Sequence, residues 1–147
     1  MIIRQASPHD WQAIQQLLEE LGYPAGDQNS VTSGILKYTQ DGYHLIVSEV
    51  NGQPIGFISL HWYNIFHSPK PVGRITAMCV EPQARGQEVG SGLLAAGEGY
   101  LRSKGCDVVE VTSHVRRTLT HRFYLKHGYS ENSKRFVKRF TSGKETP

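Results

Sequence analysis

The chain has 147 residues, the length of one domain, and a domain of this size can bury a core without metals or disulfides. Its composition is that of an ordinary globular protein, with 38% hydrophobic and 20% charged residues. The net charge of +3 favours an anionic ligand but is too small to indicate nucleic acid binding. No secretion signal and no apolar stretch of ~20 residues is present, so we expect a cytoplasmic protein without a membrane partner. Cys79 and Cys106 lack metal-ligand spacing, which predicts reduced thiols and no metal site.

The predicted elements follow an order typical of a mixed α/β sheet. Ser7, Pro8 and Asp10 resemble a capping box at the start of a helix. Asn51-Gly52 between two β-rich runs is a strong hairpin signal. In chain order we predict a strand at Ile2–Ala6, helices to about Leu21 and at Val31–Tyr38, strands at Tyr43–Val50, Pro54–Tyr63 and Arg74–Val80, a helix from Val89 to about Leu101, a strand at Val108–Val111, a helix at Leu119–His127 and a last strand at Phe136–Phe140.

This order predicts a single α/β domain over residues 1–141, with a mixed, mostly antiparallel sheet and helices on both faces. Residues 142–147 are expected to form a flexible C-terminal tail.

The segment from Gln83 to Gly90 indicates an anion site, because a strand ends there, the chain turns and a helix begins. The first N–H groups of a helix have no internal partner, and the helix dipole adds about half a positive charge. Glycines let a pyrophosphate approach the backbone, and Arg85 adds a full charge. An ordinary surface turn is the alternative, but Gly90 and Gly92 each cost about 1 kcal/mol inside a helix.

This turn resembles the signature Gln/Arg-x-x-Gly-x-Gly/Ala of the GNAT acetyltransferases. Gln83, Gly86 and Glu88 occupy the three signature positions, and Val89-Gly90 completes the usual ending. Glu88 departs from the pattern, so its carboxylate has to point away from a bound pyrophosphate. The resemblance implies the GNAT fold, acetyl-CoA as co-substrate and these cofactor-binding residues: Cys79, Val80, Arg85, Gly86, Gln87, Glu88, Val89, Gly90 and Ser91.

A dinucleotide fingerprint competes with this interpretation, since the segment from Gly90 to Ala95 fits G-x-G-x-x-A and Glu110 lies at a suitable distance for a ribose contact. That fingerprint follows its strand directly, whereas a long turn intervenes here. A Walker loop is excluded, because no Gly-Lys-Ser/Thr sequence occurs.

A second block, from Ser113 to Tyr129, resembles the Phe-Tyr-x-x-x-Gly-Phe/Tyr element of GNAT proteins. The resemblance implies that Tyr124 is catalytic and protonates the departing thiolate of CoA. Taken alone, the same tyrosine is more simply a core aromatic. Together with the turn, the segment from about Val80 to Phe140 looks like the aminoalkylphosphonate N-acetyltransferases.

The general base is unassigned. In the phosphonate enzymes the usual strand glutamate falls where this chain has Ala77, and Arg74 replaces another acidic residue of the same strand. The candidates are Glu81, Glu110, His114 and His121, and a water chain is a further route for the proton.

The expected reaction is direct transfer of an acetyl group to a primary amine of a small, anionic substrate resembling an aminophosphonate or an amino acid. A basic group of residues favours such a substrate over a polyamine or aminoglycoside. The alternative is an acyl-CoA-binding sensor or partner module with little catalysis. GNAT proteins are often dimers, so a homodimer is one expectation for its assembly. The basic residues are His61, His67, Lys70, Arg74, Arg116 and Arg117.

Overall fold

A computed structural model describes residues 1–86, 88–113, 117–141 and 144–145. The chain divides into two compact units, Met1–Thr112 and Ser113–Pro147. In the first unit, β1 is Ile2–Gln5, α1 is Trp11–Leu21, α2 is Gln28–Lys37, β2 is Tyr43–Val50, β3 is Gln53–Tyr63, β4 is Val72–Val80, α3 is Val89–Ser103 and β5 is Val109–Val111. In the second unit, α4 is Thr118–Lys126, β6 is Phe140–Thr141 and β7 is Lys144–Glu145.

The first unit contains a five-stranded sheet in the order β1-β2-β3-β4-β5. Strands β1 to β4 are antiparallel to their neighbours, whereas β5 runs parallel to β4. The mixed, mostly antiparallel sheet expected from the sequence is therefore confirmed. No helix in the described part of the chain is long and apolar enough to cross a membrane.

Helices cover both faces of this sheet, as predicted. On one face, Ile14 and Leu17 of α1 and Val31 of α2 pack with Val47 and Phe57. On the other face, α3 approaches β3 so closely that a Cβ on Gly97 would lie 2.9 Å from Ile58 Cδ1. Close helix–strand packing therefore accounts for Gly97, whereas a Cβ on Gly99 would meet nothing within 4 Å, and nothing in the structure explains that glycine.

Local signals place the ends of several elements correctly. Ser7 and Asp10 form the reciprocal capping box, with a short 3₁₀ turn at Pro8–Asp10 before α1. Asn51 and Gly52 both have positive φ, 53° and 78°, as a two-residue hairpin turn with matching twist requires. Helix α2 begins three residues earlier than predicted, because the Asp27 side chain accepts a hydrogen bond from the Ser30 N–H and caps it.

The predicted strand at Phe136–Phe140 is wrong for most of its length. Only Phe140–Thr141 is a strand, and it pairs with Lys144–Glu145. The Phe136 side chain is 90% exposed, so no burial holds this segment in a ladder. Of the expected tail, residues 142–143 and 146–147 lie outside the described residues, and its flexibility stays a prediction.

Candidate active site

A β-bulge in β4 determines which backbone amides face the outer edge of this strand. Ser59 of β3 lies opposite Ala77, whereas Leu60 lies opposite Ile75, so Thr76 is an extra residue. Before the bulge, the Gly73 N–H donates to Val108 O on the β5 side, and after it the Glu81 N–H donates to Ile55 O on the β3 side. Because amides alternate along a strand, those of Met78 and Val80 point away from β3.

Strand β5 pairs only with Gly73–Ile75 of β4, so the edge from Met78 to Val80 has no strand beside it in the described part of the chain. The predicted amide donor at Val80 thus lies on an open edge. The same alternation directs the Cys79 N–H towards β3, and its side chain is buried in the core. Met78 was missed by the sequence analysis, because only the bulge shows which amides point outward.

The turn after β4 leads into the N-terminus of α3. Gly86 has φ 81°, and Glu88, the N-cap, has φ 65°, so both lie in the left-handed region. The Glu88 carboxylate makes no capping hydrogen bond, and the first helical bond is from the Gly92 N–H to Glu88 O. The amides that precede Gly92, from Val89 to Ser91, therefore lie in the first turn of a 15-residue helix, where anions bind.

Arg85 holds this turn to its surroundings. Its Nε donates to Val80 O at 3.2 Å, and Nη2 lies 3.4 Å from Glu20 Oε1 at the end of α1. The phosphate contact expected of Arg85 stays a prediction. Gln87 lies outside the described residues.

Four side chains form a row across the sheet, which we call the transverse row: Tyr43, His61, Arg74 and Glu110. Each is the cross-strand partner of the next, on β2, β3, β4 and β5. Cross-strand partners point to the same face of a sheet, here the face that also carries α1 and α2. Arg74 is the member of this row that lies on β4, the strand with the open edge, four residues before Met78 and six before Val80.

Arg74 and Glu110 form an ion pair in this row. Arg74 Nη1 donates to Glu110 Oε1 at 3.0 Å, and Nη2 donates to Thr112 Oγ1 at 2.7 Å. The Tyr63 hydroxyl donates to the same carboxylate oxygen at 2.6 Å. This hydrogen bond, together with burial and the carboxylate charge, raises the pKa of Tyr63. Position 74 of β4 is therefore basic, and an acidic side chain, Glu110, lies beside it on β5.

Hydroxyl groups continue this polar surface towards the bulge. Thr76 Oγ1 lies 2.6 Å from Ser59 Oγ and 2.9 Å from the Tyr38 hydroxyl at the end of α2. The bulge turns Thr76 out of the ladder, which lets its side chain reach both partners. Sequence reasoning missed these hydroxyls, since a lone Ser or Thr in a strand carries no signal.

Tyr124 lies in the second unit, on α4. Its side chain is buried, and desolvation raises the pKa of Tyr124 to about 12, so the phenol is neutral at physiological pH. Its ring packs edge-on against Phe123 and Tyr129. A neutral buried phenol is suited to donate a hydrogen bond, and its role in catalysis stays a prediction.

Comparison with known proteins explains this combination of open edge, turn and helix N-terminus. The sequence profile of the Acetyltransferase (GNAT) family matches residues 11–129, which is most of the chain. The chain belongs to the GNAT acetyltransferase family.

Individual relatives agree with this assignment. The chain is 33% identical over 137 residues to the aminoalkylphosphonate N-acetyltransferase of Salmonella typhimurium, covering 92% of this chain and 89% of the relative. It is 29% identical to the aminoglycoside N(6')-acetyltransferase type 1 of Stenotrophomonas maltophilia, covering 90% of this chain and 88% of that one. The fold matches that of aminoglycoside N-acetyltransferase AAC(6')-Iy, solved in complex with CoA, with a TM-score of 0.83 and 20% identity over 96% of this chain and 95% of that one.

This GNAT protein is an acetyl-CoA-dependent N-acetyltransferase, and acetyl-CoA is its acetyl donor. The residues present fit that co-substrate, because the left-handed turn at Gly86 and Glu88 leads into the first turn of α3, whose N-cap side chain makes no capping hydrogen bond. The dinucleotide alternative finds no support, since Glu110 is engaged by Arg74 and Tyr63. Gly92 also has a packing role, because a Cβ added at this position would lie 3.3 Å from Ile3 Cδ1.

The candidate bases have different outcomes. Glu110 accepts hydrogen bonds from Tyr63 and Arg74, both at Oε1. Glu81 follows the end of β4, and its backbone continues the β3–β4 ladder. His121 lies in the second unit, on α4, and His114 lies outside the described residues. None of these placements identifies a proton acceptor.

Proposed function

We propose that this GNAT enzyme transfers the acetyl group directly to the primary amine of a small substrate that also carries an anionic group, such as a phosphonate or carboxylate. The observation that supports this substrate class is Arg74, a guanidinium held in the transverse row close to the open edge of β4. Its charge and its fixed orientation suit it to bind the anion while the amine faces the acetyl donor.

Arg74 is held in place without being saturated. A guanidinium has five N–H donors, and Arg74 donates to Glu110 and Thr112 and also interacts with the Tyr63 hydroxyl. Its side chain is 29% exposed, so the surrounding residues leave part of it open to a ligand. Arg binds phosphonate-like and carboxylate oxygens in a bidentate way, which favours a planar or tetrahedral anion here.

The rest of the predicted basic surface contributes less. Lys70 pairs with Asp107 at 3.6 Å, and Arg116 lies outside the described residues. A polycationic aminoglycoside would be repelled by Arg74 and would have only Glu110 to bind in the transverse row. The name of the Salmonella relative supports an aminophosphonate, and that of the Stenotrophomonas relative supports the competing class.

The chemistry assigns separate tasks to the described groups. The outward amides of Met78 and Val80 hydrogen-bond the acetyl carbonyl and stabilise the negative charge that develops on its oxygen. The substrate nitrogen forms the new N–C bond, and the C–S bond breaks with its electron pair on sulfur. The sulfur takes up a proton, for which the neutral Tyr124 phenol is our proposed donor, and one proton from the substrate ammonium is released overall.

A thiol-release assay tests the substrate class. We expect 2-aminoethylphosphonate to be acetylated with a higher kcat/KM than ethanolamine, spermidine or an aminoglycoside. Arg74→Gln should raise KM for the phosphonate about 10- to 100-fold, because hydrogen bonds to charged groups contribute about 1.5–3 kcal/mol. Ethanolamine kinetics should change little.

Arg102→Gln provides the control, because Arg102 is an exposed arginine near the end of α3. Higher kcat/KM for spermidine or an aminoglycoside than for any anionic amine would contradict the proposal. The expected homodimer and cytoplasmic location stay predictions, and light scattering tests the first.

A further inference from the structure

His61 is the one described histidine of the transverse row, and its tautomer is fixed by the backbone. Its Nδ1 lies 2.8 Å from Gly42 O. A carbonyl oxygen only accepts hydrogen bonds, so Nδ1 carries the proton in this contact. In the neutral imidazole, Nε2 then has the lone pair and is the atom that can accept a proton.

Stacking fixes the plane of this ring. The His61 ring stacks on Tyr43 with centroids 4.3 Å apart and an interplanar angle of 11°, and Tyr63 stacks on it at 5.1 Å and 23°. Tyr38 packs edge-on against Tyr43 at 5.1 Å. Two stacked tyrosines and a backbone carbonyl thus hold the imidazole in one orientation, and Tyr38 supports Tyr43 from its other side.

The neighbours of His61 place it beside the proposed anion site. Its cross-strand partner on β4 is Arg74, whose Cβ is expected at ~5 Å from that of His61 in such a pair. Beyond Arg74, Glu110 of β5 forms an ion pair with the guanidinium, and the phenol groups of Tyr43 and Tyr63 flank the ring. A substrate whose anion binds Arg74 has its amine a few bonds away on the same polar surface, where water can connect it to the imidazole.

We propose that His61 is the general base of this enzyme and that its Nε2 takes the proton from the substrate ammonium through intervening water. This inference rests on the proposed function, because Arg74 sets the distance between the amine and the ring. It also explains why the enzyme functions with Ala77 where related enzymes have a glutamate.

The proton balance is complete. His61 Nε2 takes one proton from R–NH₃⁺, which leaves the amine lone pair free to form the N–C bond with the acetyl carbon. The nitrogen loses a second proton as the amide forms, the C–S bond breaks, and sulfur takes up one proton to give the thiol. The imidazolium returns its proton to solvent, so the net products are the amide, CoA thiol and one proton.

The test compares His61→Ala, His61→Gln and the control His9→Gln, in which an exposed histidine of the 3₁₀ turn before α1 is changed. We expect both His61 variants to lose 10²- to 10⁴-fold in kcat, the usual contribution of a general base, with little change in KM for acetyl-CoA. The acid limb of the wild-type profile of kcat against pH should disappear in both. His9→Gln should match the wild type.

Chemical rescue distinguishes a base from a structural residue. His61→Ala leaves a space between the rings of Tyr43 and Tyr63, so added imidazole should restore kcat at least tenfold, whereas Tris at equal pH should not. A kcat of His61→Gln within threefold of the wild type overturns the proposal. A loss of kcat without rescue, with the acid limb retained, also overturns it and indicates a structural role.

These outcomes are separate from those for the substrate class. If the wild type acetylates neutral amines best, the anion proposal fails, and the rescue of His61→Ala is then measured with that amine. Melting temperatures of all three variants show whether each one is folded.

Discussion

Replacing Glu88 by glycine and by alanine separates two effects of this side chain on the start of α3. Glu88 has φ 65° and ψ 11°, a left-handed conformation that costs an L-residue about 1–2 kcal/mol. Its carboxylate also lies at the helix end that we expect to bind a pyrophosphate. Glycine removes both the strain and the charge, whereas alanine removes the charge alone.

The stability difference follows from the backbone. Glycine relieves about 1–2 kcal/mol of strain but loses about 0.4–1 kcal/mol through the greater freedom of the unfolded chain. Glu88→Gly should therefore exceed Glu88→Ala by about 0.5–1 kcal/mol in free energy of unfolding. For a protein of this size that is about 1–4 °C in melting temperature, which differential scanning fluorimetry detects.

Acetyl-CoA binding should respond to charge and not to backbone strain. Two like charges ~4 Å apart in water repel by about 1 kcal/mol, so both variants should bind as tightly as the wild type or up to about fivefold more tightly. Isothermal titration calorimetry measures this, with Glu19→Ala on α1 as a control for loss of one exposed carboxylate. Equal melting temperatures of the two Glu88 variants would refute the strain, and weaker binding in both would refute the repulsion.

Three further predictions concern catalysis, acid stability and packing. Tyr124→Phe should lower kcat about a hundredfold with an unchanged melting temperature, and full activity would remove the hydroxyl from the mechanism. Burial alone would raise the pKa of Asp10, but hydrogen bonds from Arg4 and the Ser7 backbone outweigh it and leave that pKa below its usual value. The stabilisation from Asp10 is therefore present above pH ~4 and lost as pH falls through the lowered pKa, so in acid titrations followed by circular dichroism Asp10→Asn should be less stable near neutrality and should converge with the wild type at low pH. Gly99→Ala should stabilise α3 by about 1 kcal/mol in urea denaturation, whereas Gly97→Ala should be the less stable of the two variants by at least about 1 kcal/mol.

Local sequence signals identified the fold and part of the site. The capping box at Ser7, the hairpin at Asn51-Gly52 and the turn after β4 each depend on residues that lie close together in the chain. These residues specify their geometry without reference to the rest of the protein, which is why their positions were predicted correctly.

The transverse row could not be predicted, because two irregularities set the strand registers. Counting back from the Asn51-Gly52 turn places Tyr43 opposite Leu60, on the face covered by α3. The register shift between Ser48 and Glu49 moves it opposite His61 instead. A bulge depends on how strands pair across the sheet, so residue types along one strand do not reveal it.

The bulge at Thr76 absorbs one residue of β4 without changing the strand that follows it. Deleting Thr76 would give a regular ladder in which its neighbours keep their partners on β3, so the amides of Met78 and Val80 would still point away from β3. The hydroxyl contacts of Thr76 would be lost. An extra residue inserted after Ala77 has no second bulge to absorb it, so it would turn the amides of Met78 and Val80 towards β3 and send the wrong side chains to the core. Natural variants of this strand should therefore tolerate loss of the bulged residue but not such an insertion.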